Sequence, residues 1–518
     1  MTIVYFEDFG AVGDNATDDT AAIRAAFAAA PAGAQVQGKD RKTYVITDTL
    51  FVDKQVLLEG NGSWLRYEWR ANKGGIGFCR PMMVLRQNAA RSRITGLNFN
   101  HDALDCPGAT LAPDQPGGND GLPLVWQCAL ILQGDEIVVS DCRIDDAWDN
   151  AFTIGRYFVT GEGTSSNPYK MPFANISVSE PKRVTVDRCL AVNAGLGKHY
   201  YPTARLNGGY ERVGGGFNNL NGANATFSNC VARECSTGFI SDYGAQASTR
   251  ITDCTAFFSR SWEGGTGWGY WLADGANIVS SSQALFCVKE GFVIPYEANG
   301  TILDSCFASA CGYDGFYIAS NRVTLTGCIS QANGQANDVN RSAAFRLVSY
   351  DEALDDVVMI GNLALPDGKT QYGLVAVGLN PIRAQWIGGS LSGVAEAYSI
   401  GIHGVAITQY RDGPELIENS RRTLTSTVAS GTIGEPWNRA TLELVASGGT
   451  SRLALGFNGP DDSGVVQAIN PGIVPKPLKL NPGGGEVWAQ IDGIGLRKLV
   501  AGAADSAGKG FRTLRTAN

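Results

Sequence analysis

Acidic residues recur at fixed distances from aromatic residues in the middle of this sequence. Glu290 and Asp314 each stand two residues before a phenylalanine, and Asp274 and Glu297 follow an aromatic residue by four and five positions. Glu263 lies in a longer segment between two such units. Two carboxyl groups that lie close together raise the pKa of one of them, which creates a general acid. These five acids are therefore the candidate catalytic residues.

The reaction that such acids could catalyse depends on their separation. If successive units stack as neighbouring strands, carboxylates in one column lie ~5 Å apart, and offset or alternate ones ~7–10 Å apart, the ranges of retaining and inverting glycoside hydrolysis. Asp274 and Asp314 each precede a glycine, however, and Asp-Gly is an ordinary turn dipeptide. Glutamate is a poor turn residue, so Glu263, Glu290 and Glu297 are harder to explain as turn residues.

Aromatic residues flank these acids and could stack on sugar rings. They are Trp262, Trp268, Trp271, Tyr296 and Tyr317. Arg346 occupies the same place in its unit as Trp271 and Tyr317, so it joins the predicted substrate-binding residues. Because Trp and Tyr are also enriched at protein interfaces, a subunit contact is the alternative interpretation.

A repeated unit must position these residues. A small residue, an aromatic, any residue and an aliphatic recur, as in Gly291-Phe292-Val293-Ile294 and Gly315-Phe316-Tyr317-Ile318. A cysteine after a short polar residue is the second recurring phrase. Cys230 and Cys254 are 24 residues apart, and Cys306 and Cys328 are 22 apart. Ser282 stands where a cysteine is missing. A short period of strands and turns without helical periodicity predicts a solenoid, here a parallel β-helix.

The repeat also predicts which side chains are buried. One ladder inside the helix is expected from Phe239, Tyr270, Phe292, Phe316 and Phe345. A second is expected from the cysteines Cys142, Cys189, Cys230, Cys254, Cys306 and Cys328, as buried free thiols and not disulfides. Alternation along a strand then directs the residues after the ladder aromatics outward: Ile240, Trp271, Val293, Tyr317 and Arg346.

Three units carry a longer segment between the cysteine and the aromatic residue. The spacing is 28 residues at Cys189–Phe217, 16 at Cys254–Tyr270 and 17 at Cys328–Phe345. Because these segments leave the same corner of their coils, they are expected to form a wall beside the following strand. The first segment supplies His199, Arg205 and Arg212 as further substrate-binding candidates, and functional residues concentrate on such loops. A solvated loop or a subunit contact is the alternative.

Composition excludes several classes of function. The net charge is −8 and no basic run exists, so nucleic acid is not an expected partner. The sequence contains no stretch of 18 apolar residues, so a membrane span is not predicted. Residues 1–8 lack the features of a signal peptide. The sequence contains no metal-binding or nucleotide-binding motif, so neither a metal nor another cofactor is predicted.

The N-terminal residues carry a recognisable motif. The segment DFGAVGDNATDDTAAIRAAF, residues 8–27, contains the capping residues Asp18, Asp19 and Thr20 before an alanine-rich helix that reaches Ala30. It resembles the N-terminal signature of the pectate-lyase-like superfamily of right-handed parallel β-helices, which includes polysaccharide lyases, polygalacturonase-like hydrolases and phage tailspikes. The resemblance implies an all-β, single-stranded right-handed parallel β-helix with an N-terminal capping helix.

The C-terminal region differs in composition. Residues 420–518 are typical of a small antiparallel β domain with hairpin turns. Its segments LKLNPGGGEV and GAADSAGKGFRTLRTAN resemble the C-terminal regions of phage tail fibres and tailspikes. That resemblance implies a homotrimer, located on a virion tail or outside the cell without a signal peptide. The predicted domains are a cap at 1–35, the β-helix at 36–415 and a trimerisation or carbohydrate-binding domain at 416–518.

The reaction type is left with three alternatives. The first is a depolymerase of the phage or prophage tailspike type that hydrolyses a bacterial polysaccharide with paired carboxylates. The second is a polysaccharide lyase or epimerase that abstracts a proton, with His199 and neighbouring tyrosines as bases beside Arg205 or Arg212. The third is a tail fibre that binds glycan without cutting it. The polygalacturonase pattern is missing, because the Asp145-Asp146 pair is not followed by its GHG and RIK triplets.

Overall fold

Three parallel sheets wind the chain into a right-handed parallel β-helix, as the repeat and the N-terminal resemblance together predict. The computed structural model describes residues 2–410 apart from 69–80, 103–127, 156–180, 196–198, 201–209, 212–213, 221, 243–247, 261–265, 274, 339–340, 366, 392–393, 395 and 401–404, and beyond residue 410 it describes six strands. Most coils contribute one short strand to each sheet, and the strands of successive coils pair in parallel.

The described strands divide among sheets A, B and C. Sheet A contains fourteen: Ile3–Tyr5, Ala34–Gln37, Val56–Glu59, Arg93–Thr95, Val138–Ser140, Thr185–Asp187, Ala225–Ser228, Thr249–Thr252, Ile278–Ser280, Ile302–Asp304, Thr324–Thr326, Leu354–Ile360, Ile382–Ile387 and Val405–Tyr410. Sheet B contains twelve: Asp14–Asp18, Thr43–Ile46, Trp64–Tyr67, Asn98–Asn100, Arg143–Asp145, Leu190–Val192, Val231–Arg233, Thr255–Phe257, Gln283–Leu285, Phe307–Ser309, Ile329–Gln331 and Leu363–Ala364. Sheet C contains twelve: Leu50–Val52, Met83–Leu85, Leu130–Leu132, Phe152–Ile154, Gly215–Asn219, Thr237–Ser241, Tyr270–Leu272, Phe292–Ile294, Phe316–Ile318, Ala343–Ser349, Tyr372–Gly378 and Glu396–Ile400.

The predicted aromatic ladder runs inside sheet C. Its rings are fully buried and stack nearly parallel, with 4.9 Å between the ring centres of Phe239 and Tyr270 and 5.0 Å between those of Phe292 and Phe316. The ladder extends from Phe152 to Phe345. The residue before each aromatic is small because it lies at an inner corner. A Cβ added to Gly269 would lie 2.5 Å from the carbonyl oxygen of the next coil.

The cysteines form the second predicted stack. All six are buried, and the ten cysteines among the described residues are free thiols. Ser282 continues the column where a cysteine is missing, since its Oγ accepts the Cys254 N–H at 3.2 Å. The residue before each cysteine turns the corner with a positive φ, for example 53° at both Asn229 and Asp253. Short polar residues tolerate this left-handed conformation, which explains the second recurring phrase.

Sheet C presents two outward positions in each coil. One is the residue two positions before the ladder aromatic, and the other is the residue directly after it. Trp271 and Tyr317 are half-buried. Ile240, Val293 and Arg346 are buried, with relative solvent-accessible surface areas of 8, 4 and 7%. The prediction of outward direction is therefore right, but this face is largely covered, because neighbouring side chains pack over it.

The N-terminal end is closed by the α-helix Thr20–Ala29, whose buried side chains include Ile23 and Phe27. Short 3-10 helices occupy Phe6–Phe9 and Gln87–Ala89. Of the predicted capping residues, Asp18 accepts the Thr20 N–H at 3.0 Å. Asp19 is the N-cap residue of the helix, as predicted, but its side chain makes no capping bond and instead accepts the N–H groups of Val12 and Gly13 in the preceding loop.

The C-terminal unit, residues 413–518, separates from the unit 1–412. Its described strands form two antiparallel sheets: Leu442–Val445, Arg452–Asn458 and Ser463–Ile469, and Val487–Ile491, Gly495–Ala501 and Leu514–Thr516. The role of this unit in trimerisation and the boundaries at 35 and 415 stay predictions. Among the described residues, no helix has the length and apolar character that crossing a membrane requires.

Candidate active site

A cleft of about 1250 Å³ opens on the outer face of sheet C. Its walls come from the two outward positions of four successive coils and from the chain that follows their strands. Eight residues predicted from the sequence line it: Trp268, Trp271, Glu290, Tyr296, Glu297, Asp314, Tyr317 and Arg346. The fold therefore brings together predicted acids, aromatic residues and an arginine that are up to 78 positions apart in the chain.

Two stacked indole rings form one end of the cleft. The ring centres of Trp268 and Trp271 are 4.2 Å apart with an interplanar angle of 23°. The two residues occupy the two outward positions of a single coil, which explains their contact. The ammonium group of Lys289 lies 5.1 Å from the Trp268 ring centre, within the range of a cation–π interaction. These rings form the kind of flat apolar surface on which a sugar ring can stack.

Glu290 is a buried carboxyl group in the wall of the cleft. It lies one coil beyond Trp268 at the equivalent outward position, and the indole Nε1 of Trp268 donates a hydrogen bond to its Oε2 at 2.8 Å. Burial, and then the neighbouring charge of Asp314, raise the pKa of Glu290 above its ordinary value. Both causes favour the protonated form, which is the form that a general acid requires.

Asp314 lies in the next coil, and its carboxyl group is hydrogen-bonded by the guanidinium group of Arg346. Arg346 donates its Nε to Oδ2 at 2.5 Å and a terminal nitrogen to Oδ1 at 3.1 Å. The Ala343 N–H donates to Oδ1 at 2.8 Å. Burial raises the pKa of Asp314, and these three donors oppose that rise. The charge of Asp314 acts on Glu290 across the coils, and the catalytic role predicted for Asp314 stays a prediction.

Two tyrosine hydroxyls meet across the cleft. Tyr317 occupies the outward position after its ladder aromatic, and its hydroxyl bonds to that of Tyr350. Burial first, and the bond to Tyr350 second, raise the pKa of Tyr317. A raised pKa makes the phenol a hydrogen-bond donor and opposes its ionisation as a base.

The far edge of the cleft, at the carboxyl ends of the strands, is acidic. Glu297, Asp351 and Glu352 are exposed there, and Asp242 is half-buried. Tyr296 stands beside them with 64% of its surface exposed. Carboxyl groups consequently occur on both sides of the space that a ligand would fill, with Glu290 buried on one side and exposed acids on the other.

Several predicted residues lie outside the described residues: Arg205, Arg212, Trp262, Glu263 and Asp274. His199 belongs to a two-residue strand, His199–Tyr200, which pairs in antiparallel fashion with Tyr210–Glu211. The first long segment thus contains a small hairpin where the sequence predicts a loop. The roles assigned to these residues stay predictions.

Several polar cleft residues were not predicted as site residues, among them Asp242, Lys289 and four that lie on two elements. Tyr350, Asp351 and Glu352 follow the strand Ala343–Ser349, which is longer than the preceding strands of sheet C and carries the chain to the cleft edge. Arg341 comes from the third long segment, where its guanidinium carbon lies 5.1 Å from the Tyr313 ring centre. The signal for Arg341 was the unusual spacing of that unit, while the strand extension has no counterpart in the repeat.

Comparison with known proteins gives structural matches without sequence relatives. The surface protein and adhesin PfbA of Streptococcus pneumoniae covers 79% of this chain and 100% of its own, at 14% identity and a TM-score of 0.46. The A-module of the Azotobacter vinelandii mannuronan C-5 epimerase AlgE6 covers 80% and 100%, at 12% identity and a TM-score of 0.38. Tailspike protein 2 from the Escherichia coli O157:H7 bacteriophage CAB120 covers 75% and 42%, at 12% identity and a TM-score of 0.38. No family model matches the chain, and no curated protein matches it by sequence.

Proposed function

We propose that this protein binds a polysaccharide in the sheet C cleft and hydrolyses a glycosidic bond, with Glu290 as the general acid. The proposal rests on the burial and the raised pKa of Glu290. This carboxyl group is buried and adjacent to Asp314, and both features raise its pKa, so it keeps its proton to a higher pH than an ordinary glutamate, while the bond from Trp268 opposes part of that rise. Its place in the cleft wall lets that proton reach the oxygen of a bound glycoside.

The second carboxylate comes from the acidic edge. Asp314 is committed to Arg346, which leaves Glu297, Asp351, Glu352 and Asp242 as the groups that face the cleft from the other side. One of them serves as nucleophile or as base toward water. Product stereochemistry identifies the mechanism, because a retaining enzyme needs its carboxyl groups about 5–5.5 Å apart and an inverting enzyme about 6.5–9.5 Å apart.

Proton abstraction is the weaker alternative. A lyase or epimerase needs a base at the sugar ring, and the pKa of the half-buried Tyr317 in the cleft is raised. Hydrolysis requires a general acid and a second carboxyl group, and the cleft is lined by Glu290 and by the acids of its far edge.

The biological setting follows from the ends of the chain. The C-terminal segments resemble those of phage tailspikes and tail fibres, and the N-terminal motif resembles a signature that tailspikes share with polysaccharide lyases and polygalacturonase-like hydrolases. We therefore place the protein among virion-borne or extracellular depolymerases that act on a bacterial surface polysaccharide or exopolysaccharide as a homotrimer.

A polysaccharide screen with matched variants tests the reaction. Wild-type protein is incubated with a panel of capsular and exopolysaccharides, and reducing ends are measured beside the ultraviolet absorbance of unsaturated products. Glu290→Gln should reduce turnover by about 10²–10⁴-fold, the usual contribution of general acid–base catalysis. Glu59→Gln, on sheet A, is the control and should keep full activity.

Each outcome separates the hypotheses. Reducing ends without unsaturated products support hydrolysis, and unsaturated products would establish elimination. Binding without either product would make the protein a glycan-binding fibre. Unchanged turnover in folded Glu290→Gln would remove Glu290 from the mechanism.

A further inference from the structure

The outer face of sheet C changes character upstream of the tryptophan pair. In the three preceding coils the outward positions hold Asn150 and Thr153, then Gly215 and Asn218, then Thr237 and Ile240. Register places Thr153 directly beside Asn218 on neighbouring strands. Gly215 pairs with Thr237 in the same way. Small polar side chains thus gather on one patch of a parallel sheet.

These polar side chains are buried. Asn150 and Thr153 are fully inaccessible, and Asn218 and Thr237 keep 2% and 1% of their exposure. One oxygen of each, Asn150 Oδ1, Thr153 Oγ1, Asn218 Oδ1 and Thr237 Oγ1, has no hydrogen-bond partner in the part of the chain that the structure describes. Buried polar atoms are normally paired, so a group of such oxygens indicates a ligand.

Asp149 supplies a carboxyl group to the same patch. It is fully buried, and its Oδ1 also has no hydrogen-bond partner among the described residues. That oxygen lies against Gly214, where an added Cβ would come within 2.0 Å of it. Its Oδ2 receives a long contact from the Cys128 Sγ at 3.9 Å. None of the ion pairs formed by the described residues includes Asp149.

The oxygens and the charge together indicate the ligand. Carboxylate, amide and hydroxyl oxygens are ligands for hard cations, and soft metals prefer thiolate or imidazole. Among the described residues no group of three or more His, Cys, Asp or Glu is arranged to hold a metal, so a site of the multi-carboxylate type is not present in that part of the chain. A single buried carboxylate is neutralised by one positive charge, whereas a divalent ion would leave a net buried charge.

We propose that Asp149, Asn150, Thr153 and Asn218 bind a monovalent alkali cation, Na⁺ or K⁺, against the outer face of sheet C. The cation neutralises Asp149 and satisfies the unpaired oxygens. It fastens together two of the three coils that precede the Trp268 and Trp271 platform. The site is separate from the proposed acid–base chemistry, since none of its four residues lines the cleft.

Thermal unfolding of the full-length protein tests the proposal. The melting temperature is measured in NaCl, KCl, CaCl₂ and tetramethylammonium chloride at equal ionic strength. The wild-type melting temperature should rise with the logarithm of the Na⁺ or K⁺ concentration, with no such rise in tetramethylammonium, because a ligand of the native state stabilises it by mass action. Asp149→Asn should abolish that dependence, and Asp304→Asn, at an exposed corner of sheet A, should retain it.

A crystal soaked in thallium or rubidium salt gives a readout that does not require a variant to fold. An anomalous peak beside Asp149 Oδ1 supports the site. The absence of a peak there, or a wild-type melting temperature identical in all four salts, would overturn it. The patch would then be satisfied by water and by a proton on Asp149. A rise with CaCl₂ alone would overturn the monovalent assignment.

Discussion

Arg346 holds both carboxylate oxygens of Asp314 from the neighbouring strand of sheet C, with donor–acceptor distances of 2.5 and 3.1 Å. Asp314 is almost completely inaccessible and Arg346 keeps 8% of its side-chain exposure. A bidentate pair in this environment fixes the carboxylate and keeps a negative charge beside Glu290. Removing one member leaves the other buried without its partner.

We expect Arg346→Gln to be strongly destabilising. Breaking a buried ion pair by removing one member costs about 3–5 kcal/mol, since the remaining charge stays desolvated. The double variant Asp314→Asn, Arg346→Gln should recover part of that loss, because no buried charge remains. Chemical denaturation measures both. Arg383→Gln is the control, as its pair with Asp355 is exposed and should contribute little. Equal losses in the buried and exposed variants would contradict the expectation.

The β-helix and its inward ladders were predictable from the sequence, because each coil repeats the same packing problem. Phe316 and Cys306 must fill the positions that Phe292 and Ser282 fill one coil earlier. The buried side chains can therefore be identified from the repeated positions in the sequence. The outer face carries no such constraint. The burial of Arg346 on Asp314 depends on a pairing between coils, and a list of outward residues does not contain it.

The cleft was predicted in part for the same reason. Glu290 and Trp268 occupy equivalent positions in successive coils, so their proximity followed from the repeat. Tyr350 and Glu352 reach the cleft through a strand extension that breaks the repeat. Departures from the repeat are set by local sequence and need the structure to be located.

The pH dependence of turnover should carry the signature of Glu290. Because burial and Asp314 raise its pKa, the acid stays protonated above the ordinary glutamate range, and turnover should fall as pH rises through that raised pKa. Asp314→Asn removes the negative neighbour and should move the falling limb to lower pH. The profile is measured on folded protein with a fixed substrate. A limb that stays in place would show that Asp314 does not tune Glu290.

The free energy of unfolding should also depend on pH, because Glu290 binds its proton with different strength in the folded and unfolded states. The folded state holds the Glu290 proton more tightly than the unfolded chain, so above the unfolded pKa the group reduces stability as pH rises. Glu290→Gln removes this penalty while its amide oxygen can still accept the Trp268 bond. We expect the variant to gain stability relative to wild type at neutral pH and to gain nothing at low pH. Denaturation of wild type and variant at several pH values tests this. A stability difference between the two proteins that is the same at every pH would contradict it.

Deletion of residues 416–518 should abolish trimer formation. The motive is the C-terminal sequence, whose segments resemble those of trimeric tail proteins, and the separation of residues 413–518 as a unit. We expect monomers or aggregates, measured by light scattering with the full chain as the control. A truncated protein that still scatters as a trimer would place the assembly surface on the β-helix.

The cysteines should all be reduced. After denaturation without reductant, alkylation and mass spectrometry should label nearly all twelve. In the native protein labelling should be slow, because the stacked thiols are buried and burial raises the pKa of Cys142 and Cys230. Linked pairs among the stacked cysteines would be incompatible with the column that the coils create.

The two tryptophans at the end of the cleft should differ in their effects on kinetics. Trp268→Phe keeps an aromatic ring and removes the Nε1–H that bonds to Glu290, so we expect kcat to fall while KM changes little. Trp271→Ala removes a stacking surface and should mainly raise KM, by roughly tenfold if the ring contributes about 1.4 kcal/mol to binding.

A matched control and the pH profile separate these roles from a general loss of structure. Trp64→Phe, on the outer face of sheet B, should leave both constants unchanged. In Trp268→Phe the falling limb of the pH profile should also move, because the indole bond is one of the contacts that set the pKa of Glu290. If Trp268→Phe and Trp271→Ala raised KM equally and left the pH profile in place, both indoles would be platform residues. The protonation of Glu290 would then depend on burial and Asp314 alone.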